Sequence, residues 1–190
     1  MRVIGGTAKR RQLHAPNLEG LRPTSDRVRE AMFDVLASLG VLEGASVIDA
    51  FAGSGALGIE ALSRGAESVC LVESDRRAVA AIRANLDSTG FGACVAARVV
   101  RADVLEFLGR KSTGHYDLAL VDPPYSFSDW PTLLGLLKAD LAVLETSSAV
   151  EVPENFVTRR EYRYGGTLVT LIEARGFSRQ DPSTTEKGTL

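Results

Sequence analysis

Apolar residues along this chain switch between two rhythms. Between Ala45 and Val152, short continuous apolar runs alternate with stretches of helical spacing. ASVIDAF reads as a buried strand and GALGIEALSRG as a helix. SVCLVES is a strand, and DRRAVAAIRANLDSTG a helix closed by Gly90. ARVVRAD and YDLALVD are strands, each followed by a helix, VLEFLGR and DWPTLLGLLKAD. SSAVEV reads as the fifth strand of the series. Continuous apolar strands alternating with helices predict a mostly parallel, doubly wound α/β sheet covered on both faces.

The two ends break this pattern. MRVIGGTAKRRQLHAP reads as two short strands around Gly5-Gly6, a small β-hairpin extension over residues 1–20. A helix follows, with Val28, Met32, Val35, Leu36 and Leu39 on one face, Thr24 or Ser25 as its cap and Gly40 as its stop. Near the other end, REYRY and TLVTLIEA flank Gly165-Gly166 and predict an antiparallel hairpin, giving seven strands in all. The segment 152–159 is too short for a crossover helix and reads as a loop or a single turn. Residues 21–176 form the α/β domain, and 177–190 a polar, flexible tail.

With 190 residues, 45% of them hydrophobic, the chain can bury one core unaided. No apolar run approaches the ~18 residues of a membrane span, and no secretory leader is apparent, so a cytoplasmic protein is expected. Cys70 and Cys94 lack metal-ligand spacing, and His14 and His115 are isolated; no metal is expected. Charge is unevenly spread. Residues 1–30 carry seven Lys or Arg against three acids, +4 in a chain whose net charge is -2, leaving -6 for the rest. A basic end on an acidic body suggests an anionic partner met by the N-terminus.

Two motifs carry chemistry. In DAFAGSGALGIEAL, Gly53, Gly55 and Gly58 form G-x-G-x-x-G between a strand and a helix, the context of a nucleotide-binding turn. Glu73 ends the next strand, where an acid reaches ribose hydroxyls. Two ligand classes use such a loop: a nicotinamide or flavin dinucleotide, and S-adenosylmethionine. Asp49, just before the loop, suits a cationic amino-acid end and repels a pyrophosphate. Asp103 before Val104 is a natural acceptor for an adenine amine. The closing antiparallel hairpin departs from the dinucleotide pattern. All three favour S-adenosylmethionine.

The second motif is Asp122-Pro123-Pro124-Tyr125, at the exit of the fourth strand. Strands one and four are neighbours in a doubly wound sheet, so this segment and the glycine loop face one crevice. An exocyclic base amine is a poor nucleophile because its lone pair is delocalised into the ring. The Asp122 carboxylate and the Pro123 carbonyl, held rigid by two prolines, can accept its two N–H groups and localise that pair, while Tyr125 stacks on the base. Either guanine or adenine fits this arrangement.

The pair DAFAGSG and DPPY resembles Rossmann-like class I methyltransferases that act on exocyclic amines. RVIGGTAKRRQL, GLRPTSDRVREAMFDVL, DAFAGSGALGIEALSRGA and DPPY, in this order, resemble the RsmD family, the bacterial 16S ribosomal RNA guanine-N2 methyltransferases. The resemblance is close over about residues 2–125 and looser beyond. It implies that Asp49, Phe51, Ala52, Gly53 and Gly55 surround the methionine end of S-adenosylmethionine. It implies ribose binding by Glu73 with Ser74, adenine binding by Asp103 and Val104, and closure over the cofactor by Thr24. Asp122, Pro123, Pro124 and Tyr125 hold the guanine and carry catalysis, with Asp122 also beside the cofactor. Arg2, Lys9, Arg10, Arg11, Arg22 and Arg27 meet ribosomal RNA. The implied partner is the small ribosomal subunit, the implied state a monomer, without metal or membrane. An N6-adenine methyltransferase on RNA or DNA, a dinucleotide oxidoreductase and a non-catalytic RNA-binding factor are the rival readings.

Overall fold

In the computed structural model the described residues are 1–15, 26–93 and 95–177. Helix α1 spans Asp26–Ser38. Strand and helix then alternate as β1 (Ser46–Ala50), α2 (Ala56–Ser63), β2 (Ser68–Glu73), α3 (Arg76–Thr89), β3 (Ala97–Arg101), α4 (Val104–Leu108), β4 (Tyr116–Val121), α5 (Trp130–Leu136) and β5 (Ala139–Thr146). β6 (Phe156–Tyr164) and β7 (Thr167–Ala174) close the chain as an antiparallel hairpin. The seven strands lie in the order β3-β2-β1-β4-β5-β7-β6, parallel from β3 to β5. β7 runs antiparallel to β5.

Side chains alternate across this sheet, so two cores form. Val47, Leu71, Leu118, Leu120 and Val143 point to one face and join Met32, Phe33 and Leu36 of α1, Ile59 of α2 and Ile82 of α3. Ile48, Val72, Ala119, Val121 and Leu144 point to the other and join Phe107 of α4 and Leu133 and Leu134 of α5. Caps set the helix ends. Asp75 accepts the N–H groups of Arg77 and Ala78 to start α3, and Gly90, at φ 90°, ends it. Gly40, at φ 62°, follows α1; the α1 cap expected at Thr24 or Ser25 lies outside the described residues, as do Cys94 and the tail from 178.

Three expectations need correction. The fifth strand is Ala139–Thr146, and SSAVEV is not a strand. LLGLLKADLAVL carries helix-compatible apolar spacing throughout, and only two residues separate α5 from β5, so no punctuation marks the change. LAVL is buried between β4 and β7, whereas SSAVEV has few apolar groups to bury. At the N-terminus, Gly5-Gly6 is not the tip of a tight hairpin. Among the described residues, pairing there is an isolated bridge between Arg2 and Gln12 with three neighbouring bonds: Val3 N–H to the Arg11 carbonyl, Arg10 N–H to the Val3 carbonyl and Leu13 N–H to the Met1 carbonyl. The glycines instead meet α2: a Cβ on Gly6 would sit 1.7 Å from the Ser63 carbonyl oxygen. β6 also begins earlier than read, at Phe156, with a bulge between Thr158 and Arg160.

Candidate active site

The loop after β1 holds several unusual backbone conformations. Phe51 has φ 64°, Gly53 φ 55° and Gly55 φ 78°. The last two are easy for glycine; Phe51 bears a strain of roughly 1–2 kcal/mol. Gly55 is the N-cap of α2. One turn on, a Cβ at Gly58 would lie 2.9 Å from Leu71 and Val69 side-chain carbons and 3.0 Å from Asp49 Oδ2. The third glycine therefore lets α2 lie close on the sheet over Asp49.

Asp49 is buried, and its Oδ2 accepts the Gly58 N–H at 2.8 Å. Burial pushes this carboxyl up to about 7, opposed by the Gly58 N–H; the Asp122 and Glu73 charges add to the rise. Glu73 ties the loop to β2: its Oε2 accepts the Gly53 N–H and its Oε1 the Asp75 N–H, each at 2.8 Å.

A cleft of about 1300 Å³ opens above the carboxyl ends of the parallel strands. It exceeds the roughly 300–1,000 Å³ of a small-ligand pocket, so a nucleoside and a second flat group fit side by side. Of the residues singled out in the sequence, Phe51, Gly53, Glu73, Ser74 and Asp103 line it on one side. Asp122, Pro123, Pro124 and Tyr125 line it on the other. The pairing of β1 with β4 brings the two groups together, Ala50 opposite Val121. Asp49, Ala52, Gly55 and Val104 are buried and lie beneath the cleft rather than on its wall. Val104 packs into the core with its side chain, which leaves its backbone as the part able to meet a ligand. Asp103 also caps α4, with Oδ1 on the Glu106 N–H. Thr24 lies outside the described residues.

The acids of the wall outnumber the bases. Glu73, Asp75, Asp103, Asp122 and Glu145 line the cleft, against Arg77. Such a wall repels a pyrophosphate and suits a ligand that carries positive charge and hydroxyl groups. Glycine loop, hydroxyl-seeking acids and a cation-favouring interior fit S-adenosylmethionine better than a dinucleotide.

Sequence reading missed part of the wall. Phe127 meets the Phe51 ring edge-on at 5.1 Å between centroids, and Trp130 meets Phe127 at 5.4 Å. The Phe127 N–H donates to the Pro124 carbonyl, which folds the aromatic side chain back over the cleft. No hydrogen bond to the Pro123 carbonyl occurs among the described residues. Tyr125 is 69% exposed, a large ring presented to solvent at the rim. Ser147, Ser148 and Thr167 form the far side, brought there by β5 and β7. The spacing of Tyr125, Phe127 and Trp130 was the available signal.

The N-terminal arm, residues 1–15, stands on α2. Glu60, fully buried, accepts the N–H groups of Ile4 and Gly5 and the Arg64 Nε. Ser63 accepts from the Ala8 N–H and donates to the Gly5 carbonyl. Val3, Ala8 and Leu13 face the core, which leaves Arg2, Lys9, Arg10 and Arg11 exposed. Arg27 is exposed on the first turn of α1; Arg22 lies outside the described residues. Glu60 and Ser63 went unseen in the sequence because their partners are backbone groups some 55 residues away.

Sheet order, glycine loop and Asp-Pro-Pro-Tyr at the neighbouring strand end define an α/β methyltransferase of the Rossmann-like class. Residues 1–173 match the family described as Conserved hypothetical protein 95. A relative from Escherichia coli K12, ribosomal RNA small subunit methyltransferase D, is 40% identical over 95% of this chain and 94% of its own. The solved structure of the Escherichia coli protein yhhF, a putative methyltransferase, superposes with TM-score 0.80 at 37% identity, covering 92% of this chain and 97% of that one. A hypothetical protein of Thermus thermophilus superposes with TM-score 0.78 at 32% identity, covering 92% and 99%. The chain belongs to this family, the RsmD family, and is a methyltransferase. No helix among the described residues is long and apolar enough to cross a membrane, and no metal-ligating group occurs among them.

Proposed function

We propose that this enzyme transfers the methyl group of S-adenosylmethionine to the exocyclic N2 of a guanine in 16S ribosomal RNA, on the RNA or on an assembling small subunit, as a monomer in the cytoplasm. The observation that carries this reading is the meeting of Asp122–Tyr125 with the glycine loop across β1 and β4 in one acidic cleft. The name of the Escherichia coli relative supports the choice of ribosomal RNA, and the RsmD resemblance supports guanine.

S-adenosylmethionine supplies a methyl group on a positively charged sulfur that leaves with the bonding pair. Glu73 takes the ribose hydroxyls, Asp103 and the Val104 backbone the adenine, and Phe51 walls the site beside them. Asp49 ionises below the positive charge. The Asp122 carboxylate and the Pro123 carbonyl accept the two amine N–H groups and turn the nitrogen lone pair toward the methyl. Tyr125 stacks on the base, worth about 1–3 kcal/mol, and Phe127 closes the wall beside it. Alignment can supply roughly 7–11 kcal/mol of the barrier reduction, and the alkylated nitrogen then gives its extra proton to water. A base in an RNA loop is cheaper to unstack than one in a duplex. The exposed cations of the arm and Arg27, none of which lines the acidic cleft, hold the RNA backbone.

The test is transfer of labelled methyl to unmodified small subunits, with the product nucleoside identified by mass spectrometry. N2-methylguanosine at one position is the expected result. Methyladenosine would keep the mechanism and reject guanine; absence of label despite cofactor binding would reject the substrate.

A further inference from the structure

We infer that Asn85 is a positioning residue that joins the N-terminal arm to the glycine loop, so that RNA on the arm and cofactor on the loop strengthen each other's binding. This rests on the function proposed above. Asn85 lies on α3 and is 0% exposed. Its Oδ1 accepts the His14 N–H at 2.8 Å. Its Nδ2 donates both hydrogens, one to the His14 carbonyl and one to the Ser54 carbonyl, each at 2.9 Å. One amide therefore grips both backbone groups at the end of the arm and, with the remaining hydrogen, the residue between Gly53 and Gly55.

No other side chain described at the arm does this. Glu60 and Ser63 fasten the arm to α2, and Glu73 fastens the loop to β2. Each serves one side; Asn85 serves both. A buried primary amide with all these bonds made is rigid, since releasing any one strands a polar group away from water. Displacement of the arm at His14 is therefore passed to the Ser54 carbonyl and to the Gly53 N–H beside it, which Glu73 holds. Coupling of this kind is reciprocal: a ligand that orders the loop must favour the arm to the same degree.

The alternative is a buried amide that only stabilises the fold. The two differ in kinetics. Asn85→Asp keeps the acceptor for the His14 N–H but turns an oxygen toward two carbonyls. Ser63→Ala loosens the arm alone. With the full chain and unmodified small subunits as substrate, Asn85→Asp is expected to raise KM for both S-adenosylmethionine and subunit by about tenfold, with kcat little changed. Ser63→Ala, which leaves the Asn85 bonds in place, is expected to raise KM for the subunit well beyond any rise for S-adenosylmethionine. A fall in kcat through lost active protein, with both KM values unchanged, would overturn the inference, as would a rise in one KM alone for Asn85→Asp. If Asn85→Asp does not fold, Asn85→Ala is read by calorimetry. Subunits should tighten S-adenosylmethionine binding in the parent chain, and that gain should vanish in the variant; no gain in the parent, or its persistence in the variant, would overturn the inference. If the parent chain binds S-adenosylmethionine but leaves subunits unlabelled, the substrate reading fails by itself. Weaker cofactor binding in Asn85→Asp then still supports the link, and unchanged binding overturns it.

Discussion

The Gly53 N–H donates to Glu73 Oε2 at 2.8 Å, so the glycine loop after β1 and the acid that ends β2 are locked together across 20 residues of chain. The same carboxylate holds the Asp75 N–H at the start of α3. Glu73 thus shapes the loop as well as offering itself to a ribose. Glu73→Ala removes two charge-assisted hydrogen bonds and the ribose contact at once. Affinity for S-adenosylmethionine should fall by more than about tenfold, since each such bond is worth roughly 1.5–3 kcal/mol. RNA affinity in the absence of cofactor should fall much less, only through the link between loop and arm. Calorimetry with cofactor and filter binding with RNA separate the two; equal losses in both would mean a collapsed fold instead.

Gly58 is required by packing rather than by backbone conformation, because it lies inside α2 and no positive φ applies to it. Gly58→Ala places a carbon 2.9 Å from the Leu71 and Val69 side chains, both in the core, and 3.0 Å from Asp49 Oδ2. Helix propensity returns up to about 1 kcal/mol, and overpacking costs about 1–3 kcal/mol. A net loss of up to about 2 kcal/mol should appear as a Tm lowered by a few degrees. A Tm equal to or above the parent's would show that the helix can shift outward freely.

Local signals were legible in the sequence, and long-range ones were not. The buried strands β1, β2 and β4 stand out because each is a short apolar run bracketed by glycine or an acid. The glycine loop and Asp122–Tyr125 are contiguous in the chain, and β1–β4 adjacency follows from the doubly wound pattern, so the cleft's two halves could be placed together. β5 was misread because LLGLLKADLAVL satisfies a helical spacing through the point where the strand begins. Phe127 and Trp130 carried only an aromatic spacing. Glu60, Ser63 and Asn85 read as ordinary helix residues, because what they bind is backbone at separations of 31 to 71 residues. Backbone partners leave no mark on side-chain patterns.

The exposed cations of the arm make their own claim. Arg10→Glu together with Arg11→Glu reverses two charges without touching the buried face formed by Val3, Ala8 and Leu13. RNA affinity should drop most at low salt. The slope of log affinity against log salt should become shallower by roughly 1.5–2 for two lost phosphate contacts, so parent and variant converge as salt rises. Parallel slopes would remove these arginines from the RNA interface.

Asp49 makes both stability and cofactor binding depend on pH. Its carboxyl titrates near 7 in the folded protein and near its ordinary 3.8 when unfolded. Between about pH 4 and 7 the folded form therefore holds a proton that the unfolded form has released. The stability from this group is complete below about pH 4 and is lost as pH rises through 7. Tm of the cofactor-free protein should fall over this range, and Asp49→Asn should flatten the fall. A cationic ligand favours the ionised carboxylate, so S-adenosylmethionine should bind about tenfold more tightly at pH 8 than at pH 6, with proton release detectable by calorimetry in buffers of different ionisation enthalpy. A pH-independent affinity would remove Asp49 from the cofactor's charge environment.

Asp122 stands apart from Asp49 in what it should control. It lines the cleft at the end of β4, and its charge is one of the causes that raise Asp49. Asp122→Ala removes an acceptor for the target amine, so transfer should fall by about 10²–10³-fold, the scale seen when one preorganised hydrogen bond to a reacting group is lost. The same substitution lets Asp49 ionise at lower pH, which offsets the lost attraction for a cationic cofactor, so S-adenosylmethionine binding should survive and its pH profile shift downward. Asp122→Asn keeps an acceptor oxygen and should retain more activity than Asp122→Ala. Full transfer in Asp122→Ala would leave the Pro123 carbonyl as sufficient acceptor; lost cofactor binding with lost transfer would move Asp122 from the amine to the cofactor.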